Sequence, residues 1–279
     1  MLDFANMELQ ETLKVIFYRL RKFLPVHFFR HYINPLFIRG RKTPYNAKKF
    51  FESHHRQELL CDFTDRNTIS PDFNPLFARY HYNSVENSII RYLVTRKMPA
   101  APYILDIGSG AGHWIDFYLE VLRPERIVGM EISEPCTAAL RKKYAGKENI
   151  DIIEADIASP DLTMKEKFDL INAVGVMFHI VEDELLMQAL KNISSRLKEN
   201  GVVVVSGQFG WITRNTEFYC SSQPESQASA VFYKRIRSLS FWKDCAGQAG
   251  LKVERLQRTT QCQDIFTPEN NILILTHKS

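Results

Sequence analysis

The sequence predicts an α/β fold: a doubly wound, mostly parallel sheet with helices on both faces, preceded by a helical extension. Three observations predict it. From residue 103 onward, short apolar runs alternate with amphipathic stretches, with one interruption, which is the rhythm of strand–helix–strand units. The run VVVV at 202–205 is continuously apolar, as a strand covered on both faces must be. The segment ILDIGSGAGHW at 104–114 sets three glycines between an apolar run and a helix-like stretch. Glycines at such a handover let the backbone approach a ligand closely.

Residues 8–24 place Leu9, Leu13, Ile16, Phe17, Leu20 and Leu24 at helical spacing, with Lys14, Arg19, Arg21 and Lys22 mostly off that stripe. An amphipathic helix is expected there. Pro25, Pro35, Gly40 and Pro44 punctuate the basic stretch that follows, and 46–61 can form another helix. Turn residues cluster at 64–75 and mark a boundary between an extension, 1–75, and a main domain, 76–279. A helix is then expected from Ser84, as its cap, to Lys97. Val85, Ile89, Tyr92 and Leu93 form its buried stripe, and Pro99 lies past its end.

Strands are expected at 103–107, 126–130, 150–154, 168–174 and 202–206. The helices between them are 112–122, stopped by Pro124; 135–144, with a proline near its first position; and 182–198, followed by Gly201. Residues 208–238 break the rhythm. They are polar and aromatic with no clear period, and read as a long loop-like insertion that caps the substrate. A helix at 240–249 and strands at 251–257 and 271–276 complete the chain.

Composition narrows the function. With 279 residues and 45% apolar content, the chain can bury the core of one large domain with an appendage. No window of 18 uninterrupted apolar residues occurs, and the N-terminus lacks a secretory pattern. The five cysteines are odd in number and form no CxxC pair, which argues against a disulfide framework or zinc site and for a cytoplasmic location. Residues 1–50 carry ten Lys/Arg against three Asp/Glu, a net +7, while the whole chain nets +4. The charge is local and no recognised nucleic-acid module accompanies it, so no nucleic acid is expected as a partner. The basic region also holds ten aromatics. It admits two readings: a lid on the main domain, or a segment (residues 8–50) lying peripherally on an anionic membrane.

The glycine loop points to the cofactor. A dinucleotide fingerprint would read GxGxxG, with a pyrophosphate on the helix N-terminus. Here Gly108, Gly110 and Gly112 give GxGxG, and position 113 is His. Asp106 would meet a pyrophosphate with like charge, and suits a cationic ligand instead. S-adenosylmethionine carries an ammonium and a sulfonium and no phosphate.

At these residues the sequence resembles the class I S-adenosylmethionine-dependent methyltransferase family, over roughly residues 80–279. LDIGSGAG looks like the family's first motif, VGMEIS its second, IEADI its third, FDLINAVGVMFHI its fourth-strand motif and LKENGVVVVSG its fifth-strand segment. The resemblance implies a Rossmann-like seven-stranded sheet with an antiparallel last strand. It implies S-adenosylmethionine as cofactor, S-adenosylhomocysteine as product, and no metal. Cofactor contacts are implied at Asp106, Gly108, Ser109, Gly110 and Gly112. Glu131, with Ile132 beside it, would accept the ribose hydroxyls. Asp156 would bind the adenine amino group with Ile157 against the ring, and Ala173 and Val174 would end the fourth strand beside the cofactor.

His179 is the catalytic candidate, because imidazole titrates near neutrality and an oxygen nucleophile must lose a proton. The family's frequent His-His pair is Phe178-His179 here, and the alternative is that His179 shapes the loop. Tyr80 and Tyr82, placed before the first main-domain helix, are candidates for substrate and cofactor contact respectively. Trp211, Tyr219 and Tyr233 of the insertion are candidates for substrate binding. His54 and His55, adjacent on a helix, read as surface residues. Asp169, at the start of strand four, reads as structural.

The expected function is methyl transfer to a small or medium-sized acceptor, with a hydroxyl oxygen favoured. The alternative is a non-catalytic cofactor-binding or membrane-docked partner on the same fold. An aminopropyl transferase would need an acidic segment after strand four, where AVGVMFHI is apolar.

Overall fold

A computed structural model describes residues 46–59, 75–207, 209–210, 215–221, 231–259 and 271–278. The expected helix at 8–24 and the rest of 1–45 lie outside the described residues. Helix α1 (Ala47–Leu59) precedes α2 (Pro75–Val94). The alternating part follows as β1 (Tyr103–Ile107), α3 (His113–Leu122), β2 (Arg126–Glu131), α4 (Glu134–Lys143), β3 (Ile150–Glu154), β4 (Phe168–Ala173), a 3-10 turn (Met177–His179), α5 (Asp183–Arg196) and β5 (Leu197–Gly207). Then come β6 (Phe209–Gly210), β7 (Asn215–Ser221), β8 (Val231–Ser238), α6 (Leu239–Gln248), β9 (Leu251–Gln257) and β10 (Asn271–His277).

Seven strands form one sheet in the order β3-β2-β1-β4-β5-β10-β9. β1 pairs in parallel with β2 and β4, and β10 runs antiparallel to both β5 and β9. The sheet is therefore the expected one, with β10 as its reversed strand. Strand order turns around between β1 and β4, so the crevice opens at their carboxyl ends.

Period-two alternation splits the core into two layers. Leu105, Val128, Ile171, Val203 and Leu273 face one side and pack with Leu186, Leu190 and Ile193 of α5 and Phe241 and Trp242 of α6. Ile104, Ile127, Leu170, Val204 and Ile274 face the other, with Val85 and Ile89 of α2, Ile115 and Tyr118 of α3 and Leu140 of α4. Each fully buried aliphatic side chain contributes roughly 1.5–3 kcal/mol, so both layers hold the strand ends in place.

Three expectations change. α2 starts at Pro75, nine residues before Ser84, because proline at a first helical position is pre-organised for a helix. Ser84 is buried inside α2, and Tyr80, His81 and Tyr82 lie within the helix and not ahead of it. α5 ends at Arg196 and β5 begins at Leu197, because Leu197 already pairs with Phe168. The insertion is not structureless. β7 and β8 pair antiparallel from Asn215↔Arg237 to Ser221↔Val231, and β6 pairs with β8.

Arginines of β8 fasten this small sheet to the main domain. Arg235 donates to Val181 O at 2.6 Å. Arg237, only 1% exposed, donates to Val181 O at 3.1 Å and to Asp183 Oδ1 at 3.0 Å. Burial lowers the Arg237 pKa, and the Asp183 carboxylate opposes that shift. No helix among the described residues is long and apolar enough to cross a membrane.

Candidate functional site

Gly108, Gly110 and Gly112 all take positive φ, at 68°, 54° and 90°, a region that costs other residues about 1–2 kcal/mol. A Cβ on Gly108 would also collide with Val176 Cγ2. α4 clamps the loop's carbonyls: Cys136 Sγ donates to Gly110 O at 3.0 Å, Lys143 Nζ to Ala111 O at 2.8 Å and Tyr144 Oη to Gly112 O at 2.9 Å. The loop is held open from behind, and its front borders a cavity of about 650 Å³, within the range of roughly 300–1,000 Å³ typical of small-molecule sites.

The cavity gathers residues from the carboxyl ends of four neighbouring strands. Gly108 and Gly110 follow β1, Glu131 ends β2, and Ile132 comes after it. Asp156 and Ile157 follow β3, and Gly175, Val176 and His179 follow β4. Glu131 is 4% exposed, and both its oxygens accept from the backbone. Its Oε1 accepts from Ile132 N at 2.9 Å and Ser133 N at 3.2 Å, and its Oε2 from Gly110 N at 3.1 Å. Burial raises its pKa and those three bonds oppose the rise. Asp156 Oδ1 accepts from Ala158 N at 2.8 Å and so also forms the turn after β3.

Asp106, Ser109, Gly112, Ala173, Val174, Tyr82 and Tyr80 are not among the described residues that line the cavity. Asp106 is completely buried behind the loop. Asn172 Nδ2 donates to its Oδ1 at 2.7 Å, and its Oδ2 has no hydrogen-bond partner among the described residues. Burial pushes its carboxyl up to about 7, against the Asn172 bond. Ser109 donates to Asp106 O at 3.0 Å. Gly112 caps α3, and Ala173 and Val174 are buried core residues. Tyr82 stacks on His113 at 3.6 Å, and His113 Nε2 lies 2.8 Å from Glu86 Oε1. Tyr80 is 46% exposed on α2. Tyr219 and Tyr233 are register partners in the β7–β8 hairpin, and Trp211 lies outside the described residues. Asp169 is structural, accepting from Tyr103 N and Lys198 Nζ, both at 2.8 Å.

α1 forms the opposite wall. Asn46 and Ala47 at its start, with Lys48, Phe51 and His55, line the same cavity. Lys48 Nζ pairs with Glu154 Oε1 at 2.8 Å, and Phe51 meets the His179 ring edge-on at 5.2 Å. His55 is 4% exposed, so it is not the surface residue expected. The signal was present: Lys48, Phe51 and His55 recur at three- and four-residue spacing on one helical face. Two adjacent histidines conceal it, because only one of them turns inward.

Residues 104–201 match the family model described as a methyltransferase domain. A ribosomal protein L11 methyltransferase of Thermosipho africanus (strain TCF52B) is 30% identical over 106 residues, which are 37% of this chain and 36% of that protein. The chain thus spans about a third of the length of the curated relative it matches. Among solved structures, an S-adenosylmethionine-dependent methyltransferase from Clostridium acetobutylicum ATCC 824 shares 14% identity at a TM-score of 0.57. It covers 84% of this chain and 100% of its own. The Burkholderia thailandensis 1,6-didemethyltoxoflavin-N1-methyltransferase, with 1,6-didemethyltoxoflavin and S-adenosylhomocysteine bound, shares 14% at a TM-score of 0.59, over 86% of this chain and 94% of its own. The glycopeptide N-methyltransferase MtfA, complexed with S-adenosylmethionine, shares 12% at 0.55, over 69% and 87%. At these identities the structural likenesses establish the fold.

Proposed function

We propose that this chain is a class I S-adenosylmethionine-dependent methyltransferase, as the methyltransferase-domain match over residues 104–201 and the shared fold support, and that it transfers a methyl group to a small or medium-sized acceptor. The observation that carries the proposal is the cavity at the strand-order reversal, lined by the glycine loop, Glu131, Asp156 and His179.

The donor set fits the cofactor. Bound there, S-adenosylmethionine would supply an electrophilic methyl on a sulfonium. Gly108 and Gly110 give its amino-acid end close backbone approach, Glu131 and Ile132 face the ribose, and Asp156 and Ile157 take the adenine. Asp106 acts from behind the loop as a buried counter-charge to the ammonium and sulfonium. Ser109, Gly112, Ala173, Val174 and Tyr82 support these residues from the second layer.

Val176, His179, Ile180 and Leu185 border the acceptor end, with Phe51 across from them. An acceptor end with apolar walls and the His179 imidazole suits a hydroxyl acceptor: the walls exclude water while His179 takes the proton. An amine acceptor is the second reading, and Glu182 on the same rim favours it. Tyr80, Trp211, Tyr219 and Tyr233 are proposed for acceptor selection through α2 and the β6–β8 insertion. The basic, aromatic extension, residues 1–75, is proposed as a lid, or as a membrane-surface segment through residues 8–50.

The test is transfer of isotope-labelled methyl from S-adenosylmethionine to pooled phenol, alcohol and amine acceptors, with products resolved by mass. Label in a small-molecule product supports the proposal, and His179→Ala should lower kcat for hydroxyl acceptors and spare amines. Label confined to added protein, or tight cofactor binding with no transfer to any pool, contradicts it.

A further inference from the structure

Among the described residues of α1 whose burial is resolved, His55 alone is buried, while Lys48, Lys49, Ser53 and Arg56 are exposed. Packing alone would be better served by leucine at this position, because an imidazole takes two polar nitrogens out of water. His55 lines the cavity beside Glu131. A His55 ring nitrogen, a Glu131 carboxylate oxygen and Cys136 Sγ lie within 4.8 Å of one another, all on buried residues.

Glu131 cannot serve a diol by itself. An ionised carboxylate offers about four acceptor sites and no donor, and backbone N–H groups already use three of the four. A ribose presents two hydroxyls, each of which donates and accepts. The second hydroxyl therefore needs a partner from another element, and α1 brings His55 to that place. Burial, then the neighbouring His54, holds the His55 pKa down at about 4. At neutral pH the ring offers one donor and one acceptor nitrogen, the complement of a hydroxyl. A metal ion would fit the three side chains less well. It would displace the Cys136 contact with Gly110 O and compete with three backbone bonds to Glu131.

We infer that His55 is a cofactor-binding residue, holding the ribose diol from the α1 side while Glu131 holds it from the β2 side. This inference rests on the proposed cofactor site.

It is tested by calorimetric titration of the full chain with S-adenosylhomocysteine and with its 2′,3′-dideoxy analogue. Wild type, His55→Leu and His55→Gln are compared, with circular dichroism confirming that each is folded. His55→Leu should bind S-adenosylhomocysteine about ten-fold more weakly, the worth of one well-placed hydrogen bond. The dideoxy analogue should be affected less than two-fold, and His55→Gln, which keeps a donor and an acceptor, should recover part of the loss. Equal loss on both ligands would make His55 a prop for α1 and overturn the inference, as would no loss on either. If wild type binds neither ligand, the proposed cofactor site itself falls, and the ribose role of His55 falls with it.

Discussion

Asn172 donates its amide to Asp106 Oδ1 at 2.7 Å, joining two residues that are register partners on β4 and β1. Tyr118 Oη in turn donates to Asn172 Oδ1 at 3.0 Å, so the amide is locked in one orientation. The chain keeps a wholly buried acid at the strand-order reversal, with one oxygen bonded and the other without a hydrogen bond among the described residues. Its pKa of about 7 makes it a charge that folding resists and a cationic ligand would reward.

The first prediction is a pH dependence of stability. The folded pKa of Asp106 is raised above its unfolded value of roughly 3.9. Its stabilising protonation is complete below about pH 4 and is lost as pH rises toward 7. Asp106→Asn removes that loss. Relative to wild type, the variant should gain on the order of 2–3 kcal/mol between pH 5 and pH 8, measured as the shift between urea melts at the two pH values. An unchanged difference would mean that Asp106 does not titrate in the folded protein between pH 5 and pH 8, contrary to this account.

The second prediction concerns proton release. A cationic cofactor favours ionised Asp106, so binding near pH 6.5 should expel protons, and affinity should rise from pH 6 to pH 8. Calorimetry in buffers of different ionisation enthalpy reads this directly. Asp106→Asn should abolish the buffer dependence.

The third concerns the glycine loop. Gly108→Ala faces both its positive φ of 68° and the Val176 side chain. Affinity for S-adenosylhomocysteine should fall at least ten-fold in a folded protein, the strain alone costing about 1–2 kcal/mol. Adding Val176→Ala should recover only the steric share. Full recovery would show that the backbone conformation is unimportant.

How much of this could be read from the sequence differs by element. The seven-strand core was legible because apolar runs such as VVVV at 202–205 have no other home than a doubly covered strand. That Glu131 and Asp156 would line one cavity was legible because strand ends in an α/β sheet converge. The start of α2 was not, since the apolar stripe begins at Val85 and the turn residues before Pro75 hide the earlier turns. The role of α1 was legible only in part: Lys48, Phe51 and His55 mark one helical face, but the surface that face meets is built from distant β2, β3 and α4. The strands within the insertion were missed because the strand–helix period of the main sheet ends before it, yet Arg235 and Arg237, two apart, share one face of a strand.

Those arginines give the fourth prediction. Asp183→Ala would leave Arg237 buried without its carboxylate, and breaking such a pair costs about 3–5 kcal/mol when both partners are deep. Asp183 is partly exposed at 36%, so about 2–3 kcal/mol is expected, read from urea melts. A change within about 0.5 kcal/mol, typical of surface sites, would mean that the clamp does not hold the insertion.

The most direct measurement is calorimetric titration of the full chain with S-adenosylhomocysteine, beside Glu131→Ala and an NAD control. Wild type is expected to show one site of micromolar affinity, Glu131→Ala one at least ten-fold weaker, and NAD no heat. No binding by folded wild type, equal binding by the variant, or a preference for NAD would contradict it.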